Sequence, residues 1–469
     1  MVVNFLTKQS LLWQVTGLLA GLGWVLSQSV LAEDPQTYQL RASALTETQQ
    51  KYNYQLEIAG HLLVQSGAEP QKVPLQVKGE IAYGERRVDD GSLAGEARSL
   101  RFYESAKAVL RINKESIIQR LTPEHQLVRG RQSNDKIMLQ AARGPMTRDE
   151  RDLLEIPGDS LALARLLPDH AVNLREKWSP DAQLLGMIFC MEEVRDSTVT
   201  AQLISVADQT AELRVLGRLT GKTLGAAAKM EVQGKLLFDL ARGHFVECQW
   251  QFQEERAMGS VSPGLSVSGK VTCQITAIPE IPELSDQQLG AIPLVADQAD
   301  LLAYVHRRGV FAMQYDQRWR IIADEPQHLS MRLMDQGKVI AQCNIKLAQT
   351  AGDAPEYKLS ELAAEVQNSL GKNFTKLQDT SEGSNPAGNR TLKVVAEGSV
   401  EGVPVLWLCY LFEGPSGWRL TAMITFDNQL LDQFGEADRA ILESLIFLPG
   451  EGSPQESTET ANIPRELPR

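Results

Sequence analysis

Residues 211–240 hold two copies of one short pattern: an apolar residue, a second two places on, then a glycine and another apolar residue at the same spacing. The copies are Leu213, Val215, Gly217, Leu219 and Met230, Val232, Gly234, Leu236. Alternation at period two places all four positions of a copy on one face of a β-strand. A glycine on that face suits a sharp bend or the close approach of another element. The spacing recurs at Leu56, Ile58, Gly60, Leu62, at Leu75, Val77, Gly79, Ile81, and at Leu265, Val267, Gly269, Val271. The first two copies share a midpoint between Gly225 and Ala226, so a tight turn there is expected to set Gly217 opposite Gly234. These strands predict a strongly curved, half-barrel-like antiparallel sheet with an apolar hollow face.

A chain of 469 residues has room for two or three domains with large cores. A net charge of −12 argues against a nucleic-acid partner or an anionic membrane surface, both of which demand a basic face. Residues 1–32 read as an export signal. Lys8 is their only charged residue, an apolar run starts at Leu11, and Val30-Leu31-Ala32 offers a cleavage site before Glu33. That run is also long enough to remain as an uncleaved anchor, in which case it is the one membrane contact expected. The expected location is therefore periplasmic or extracellular. The five cysteines, Cys190, Cys248, Cys273, Cys343 and Cys409, lie in or beside apolar stretches. Buried free thiols are expected, with a Cys343–Cys409 pair as the alternative.

Strand-like alternation runs through 33–277 and is interrupted by three short helices at about 147–188. Thr147 and Glu150 have capping-box spacing, Asp159 caps a second helix, and Ser179-Pro180-Asp181 starts a third. These helices are expected to lie across the hollow face. Residues 278–294 carry three prolines and read as a linker. A second domain is expected over 295–448. It opens with a helix from Asp297 through Leu301, Leu302 and Val305 to Gly309, carries a central helix capped by Ser360, and closes with Glu436–Leu445. The tail 449–469 reads as disordered. The fold class expected for the whole is α+β.

The order of elements over 310–448, with FAMQYDQRW (Phe311, Tyr315, Trp319), AEGSVEGVPVLWLCYLFE, RLTAMITF and ADRAILESLIF, resembles PsbP-type and DcrB-type α/β/α sandwich proteins. Asp316 stands where that family often has a proline. The resemblance implies a non-enzymatic accessory or assembly role. Residues 33–280, through GPMTRDERDLLEIPGDSLALARLLPDHAVNLREKW, look like an uncharacterised family of exported planctomycete proteins. The curved-sheet plan is also similar to that of periplasmic lipoprotein carriers.

No motif carries catalysis. Gly217–Thr223 has three residues between its glycines where a phosphate loop needs four, and reads as a hairpin connection. His244 and Cys248 share a strand face without a third metal ligand in reach. The acidic pairs Asp89-Asp90, Asp149-Glu150, Glu192-Glu193 and Glu254-Glu255 read as solvated, since neighbours on a strand point to opposite faces and most of these are poor pairs for acid–base work. Trp407, Tyr410, Phe412 and Trp418 read as sheet core, or as an exposed aromatic patch that binds a partner. Accordingly no catalytic residue, cofactor or metal is expected. The function expected is an exported, non-catalytic binding or assembly protein of the cell envelope, whose partner is another envelope protein. The alternatives are a carrier holding a lipid or other apolar small molecule among Leu56, Ile58, Val215, Val232 and Val267, and an enzyme of unrecognised type.

Overall fold

A computed structural model describes residues 37–43, 49–66, 69–88, 97–132, 136–289, 301–349 and 356–448. The segments read as export signal and tail lie outside the described residues. In chain order the first elements are β1 (Thr37–Tyr38), β2 (Gln49–Ser66), β3 (Glu69–Val88), β4 (Arg98–Ile112), β5 (Glu115–Arg120), β6 (Leu127–Gln132) and β7 (Ile137–Ala141). Helices α1 (Arg148–Leu153) and α2 (Ser160–Leu163), β8 (Val172–Asn173), β9 (Lys177–Trp178) and α3 (Ala182–Phe189) follow. Then come β10 (Glu193–Ser197), β11 (Thr200–Ala207), β12 (Thr210–Thr223), β13 (Ala226–Asp239), β14 (His244–Arg256) and β15 (Gly264–Ile278). Thirteen of these strands form one sheet, ordered β7-β6-β4-β3-β2-β15-β14-β13-β12-β11-β9, with β5 also on β4 and β10 also on β12.

Alternation drives this sheet. Along β13 every second side chain from Ala226 to Phe238 is buried and the intervening ones face solvent. The glycine-bearing copies lie on β2, β3, β12, β13 and β15, all within the one sheet. Their register differs from expectation: Val215 faces Gly234 and Gly217 faces Val232. The reason is the turn. Leu224 and Gly225, at φ of 50° and 73°, make a two-residue connection that pairs Thr223 with Ala226, so the chain reverses earlier than the midpoint of the repeat. Likewise Gly79 faces Leu56 and Gly60 faces Leu75.

Three of the glycines answer to specific neighbours. A Cβ on Gly269 would lie 2.2 Å from the Phe252 ring, and one on Gly234 would lie 2.4 Å from the Trp250 ring. Both rings belong to β14 and lie directly opposite those glycines across the ladder. At Gly217 a Cβ would lie 2.5 Å from the Val199 Cα, where the β10–β11 connection crosses the strand.

The short helices cover the apolar face. Glu150 and Thr147 complete the expected capping box, Asp159 caps α2 through the Leu161 amide, and α3 starts at Asp181, whose carboxylate accepts from Leu184 N at 2.7 Å. Leu153, Leu154, Leu163, Leu184, Leu185 and Ile188 join Leu56, Ile58, Val215, Val232 and Val267 in a single buried apolar cluster. Each leucine so buried contributes on the order of 2 kcal/mol relative to an exposed one. The Phe189 ring meets Trp250 edge-on at 5.3 Å, and the Tyr54 hydroxyl donates to Gly158 O at 3.0 Å. The side chains expected to line an open hollow are thus core, packed against helices.

After α4 (Asp286–Leu289) come β16 (Leu301–Val305), β17 (Phe311–Asp316), β18 (Trp319–Glu325), β19 (His328–Asp335), β20 (Lys338–Gln349), α5 (Leu359–Leu370), β21 (Phe374–Ser384) and β22 (Arg390–Val400). The last are β23 (Val403–Glu413), β24 (Trp418–Asp427), α6 (Leu431–Phe434), α7 (Arg439–Ser444) and β25 (Ile446–Phe447). The helix expected through Leu301, Leu302 and Val305 is instead strand β16, because alternate burial and antiparallel pairing of Leu302 with Tyr315 prevail over the local apolar spacing. β18-β19-β20-β24-β23-β22-β21 form a second sheet and β16-β17-β25 a third.

These features correct the α+β, α/β/α expectation. Among the described residues the structure is mostly β, 61% strand against 16% helix, in large antiparallel sheets of which none closes. One face of the seven-stranded sheet carries α5, through Leu362 and Val366 on Leu392, Val394, Trp407 and Cys409. The other face is covered by the small sheet together with α6 and α7, through Phe434 stacked on Phe426 at 4.3 Å and the Trp319 indole donating to Ala437 O at 2.9 Å. Short helices and strands stand where a second helical layer was expected. The main apolar cluster runs without a break from Leu40 to Leu445, and the α1 start is tied to β16 through Ala303 N donating to Met146 O at 2.9 Å.

Candidate functional site

A column of stacked tyrosines crosses the apolar face of the large sheet beside α2. Tyr52 on β2, Tyr83 on β3 and Tyr103 on β4 are direct cross-strand neighbours. The Tyr52 and Tyr83 rings stack at 4.9 Å, and Tyr83 and Tyr103 meet at 4.9 Å in a tilted arrangement. Such pairs gain roughly 0.5–1.5 kcal/mol beyond the area they bury. Burial holds the phenols protonated: it pushes Tyr103 up to about 12 and Tyr52 and Tyr83 well above their ordinary range.

Next to this column lies a buried charge network. Arg101 is 1% exposed. Its guanidinium donates to both carboxylate oxygens of Asp159 at 2.7 and 2.8 Å, to Glu85 Oε2 at 2.8 Å and to Ser160 Oγ at 2.9 Å. Glu85 also accepts from Ser160 Oγ at 2.5 Å and pairs with Arg87 Nε at 2.8 Å. Arg87 donates onward to Ser160 O at 2.7 Å. Burial would raise the Asp159 carboxyl, but the charge and hydrogen bonds of Arg101 hold it below its ordinary value. Two cations and two anions therefore balance in the interior, fixing α2 to β3 and β4.

Of this network Arg87 and Ser160 reach a cleft of about 300 Å³, which is lined also by Gln50, Tyr52, Arg98, Phe238 and His244. Two polar groups in its wall lack a protein partner. Gln50 is 4% exposed; its Oε1 accepts from the Tyr52 hydroxyl at 2.6 Å, while its Nε2 has none. His244 is 7% exposed; its Nδ1 lies 3.0 Å from the carbonyl oxygen of Phe245, while its Nε2 has none. A carbonyl only accepts, so Nδ1 carries a proton. Phe238, Phe245, Ile275 and Leu163 supply the apolar wall. On the opposite, solvent-facing side of the sheet, a hollow of about 960 Å³ runs over six strands past Lys78, Glu57, Lys270, Gln251, Gln233 and Leu216.

The motifs weighed in the sequence fall out as follows. Gly217–Thr223 is the paired end of strand β12 and not a phosphate loop; the hairpin connection expected there is made instead by the next two residues, Leu224 and Gly225. His244 and Cys248 are both buried on β14, and among the described residues no group of three or more His, Cys, Asp or Glu is placed to hold a metal. Glu254 is buried and Glu255 exposed, while Asp89-Asp90 lies outside the described residues. Glu150 is no solvated acid: it lies 2.9 Å from His125 Nδ1 in a buried pair and accepts from the Thr122 and Thr147 amides. Trp407, Tyr410 and Phe412 are buried, so the aromatic hairpin is sheet core and not an exposed patch. All five cysteines are free thiols, with Cys343 and Cys409 in core clusters on opposite faces of their sheet.

The cleft itself escaped the sequence. Its members lie far apart in the chain, Arg101 and Asp159 being 58 residues distant, so no local spacing joins them. One signal was available: Glu85 continues the inward parity of Val77, Ile81 and Tyr83, and a charge on an apolar face asks for a buried partner.

No protein-family profile matches the chain, and no curated protein matches it. Among solved structures it is similar to the cyanobacterial PsbP of Synechocystis, at 11% identity, covering 33% of this chain and 96% of that one, with a TM-score of 0.27. It is also similar to a Pseudomonas aeruginosa protein of unknown function described as a putative regulator, at 15% identity over 32% and 98% of the two chains, TM-score 0.21. A third similarity is to lipovitellin, at 9% identity over 53% of this chain and 27% of that one, TM-score 0.30. None of these bears on the planctomycete family, and at such scores none carries a functional argument. The chain is similar to PsbP as a weak likeness of fold alone.

Proposed function

We propose that this chain is an exported, non-catalytic binding or accessory protein of the cell envelope, and that the cleft beside the tyrosine column is where it binds. The observation that carries this reading is the preformed cleft of about 300 Å³, in which Gln50, Arg87, Arg98, Ser160 and His244 stand among apolar side chains. Preformed concave sites with a few converging polar groups are the usual form of a binding site. An interior packed with helices speaks against a lipid carried in the hollow of the sheet, because Leu56, Ile58, Val215, Val232 and Val267 already have partners. The test is native mass spectrometry on the protein purified gently from its envelope, alongside chemical crosslinking in place. A small adduct that Gln50→Leu releases supports the reading. A clean polypeptide mass with no crosslinked product refutes it.

A further inference from the structure

We propose that Cys248 and Cys273 form a cross-strand disulfide when the chain folds in the presence of a small-molecule disulfide, so that the β14–β15 hairpin carries an oxidation site independent of the cleft. Cys248 on β14 and Cys273 on β15 are direct partners in the antiparallel ladder. Both are 1% exposed and belong to the same apolar cluster, so both side chains stand on the covered face of the sheet. Residues directly opposite on antiparallel strands have Cα atoms about 4.5 or 5.5 Å apart and Cβ atoms about 4.5–5.5 Å apart. A disulfide takes Cα separations of roughly 4.4–6.8 Å and Cβ separations of roughly 3.5–4.5 Å. The backbone spacing therefore fits as it stands, and closing the bond draws the two Cβ atoms together by about 1 Å. No other two of the five cysteines are ladder partners. Cys343 faces Ile424 and Cys409 faces Met423, with β24 between them, and their side chains lie in core clusters on opposite faces of that sheet. Cys190 ends α3 in the left-handed region, at φ of 56°.

The reaction is thiol–disulfide exchange, with glutathione disulfide as the oxidant. One cysteine, as its thiolate, attacks a glutathione sulfur and releases one glutathione thiolate. The second cysteine, having lost its proton, attacks the protein sulfur of that mixed disulfide and releases the other. One S–S bond forms in the protein and one breaks in the oxidant, which takes up two electrons. The two protons lost by the cysteines end on the two glutathione thiols. Burial decides when this happens. It raises the Cys248 thiol, with the neighbouring Cys273 raising it further, and pushes Cys273 up to about 12, so the finished core holds almost no thiolate. The β14–β15 hairpin is local, whereas the pairing of β15 with β2 closes a far longer loop. The two thiols thus come into register while the edge of β15 is still open, before the rest of the molecule covers them.

The experiment refolds the reduced full chain from urea in a glutathione redox buffer, alkylates the remaining thiols and maps linked peptides by mass spectrometry. A Cys248–Cys273 linkage is expected as the principal product, with Cys190, Cys343 and Cys409 alkylated. These two are also the closest cysteines in the sequence, so a flexible chain favours them in any case. Oxidation of the chain held unfolded in urea measures that bias, and folding should raise the ratio of this linkage to all others about tenfold above it. A ratio unchanged between the folding and the unfolded chain overturns the proposal, as does a principal linkage through any other cysteine. So does recovery of folded protein with all five thiols alkylated. Should refolding fail, the chain is expressed into a bacterial periplasm and alkylated at lysis. A Cys248–Cys273 linkage there supports the proposal, and alkylated Cys248 and Cys273 overturn it.

Discussion

Gly269→Ala isolates one physical cause. The added methyl carbon would lie 2.2, 2.6 and 2.8 Å from three atoms of the Phe252 ring, where carbon–carbon contacts prefer about 3.5–4.0 Å. Phe252 is 3% exposed and Trp250 follows the same arrangement over Gly234, so the ring has no free space to move into. Overpacking of this kind costs roughly 1–3 kcal/mol. The same substitution at Gly79 is the control. There the nearest atoms are Leu56 Cβ at 3.4 Å and Cδ2 at 3.5 Å, ordinary contact distances. Alanine at that site should be neutral or should stabilise by about 0.4–1 kcal/mol through the unfolded chain. The assay is urea unfolding followed by tryptophan fluorescence, comparing midpoints at constant slope. Phe252→Leu shortens the obstructing ring, so the double variant with Gly269→Ala should recover part of the loss, a coupling that a double-mutant cycle measures directly. If Gly269→Ala is as stable as the parent, or if Gly79→Ala loses as much, the account of these glycines as seats for aromatic rings is wrong.

Replacing Arg101 by Met strands Glu85 and Asp159 in the interior, and a loss of roughly 3–5 kcal/mol is expected in the same unfolding assay. Burial alone pushes the Glu150 carboxyl up, but the hydrogen bonds and charge of His125, together with the Thr147 and Thr122 amides, reverse this and hold it down to about 2. A depressed carboxylate stabilises fully above its unfolded value of 4.5 and loses that contribution as pH falls toward 2. Stability should therefore decline across that window by up to about 3 kcal/mol, and Glu150→Gln should flatten the decline while lowering stability at neutral pH. Burial pushes the Cys273 thiol up to about 12 and raises Cys248 as well, so both should resist Ellman's reagent in the native protein and react once urea unfolds it.

The legible parts of this fold were those governed by one strong local rule. Strand β13 announces itself because its burial alternates without a fault. Strand β21 gave no such sign: ten of its eleven side chains are exposed, so nothing in Phe374–Ser384 distinguishes an in-facing from an out-facing position. Register is subtler. The repeat locates Gly217 and Gly234 on one face, yet their offset is decided by Leu224 and Gly225, a turn of two residues whose positive φ the repeat does not encode. Cys248 and Cys273, directly opposite each other across β14 and β15, were within reach of the same reasoning, since their midpoint falls in the connection at 257–263. For the cleft, only the parity of Glu85 hinted at a buried charge. Its partners Arg101 and Asp159 become neighbours through tertiary packing alone.

The join between β2 and β15 has a bearing on how such a molecule must assemble. Every other neighbouring pair of long strands in the large sheet is a hairpin or a near neighbour in the chain, but here Gly264 meets Leu63 and Ile278 meets Gln49, about two hundred residues apart. Two meanders can therefore form early and separately, and each then waits with a bare, long, hydrogen-bond-hungry edge until the other arrives. The interval before that seam zips shut is when this chain is most exposed to pairing with a stranger.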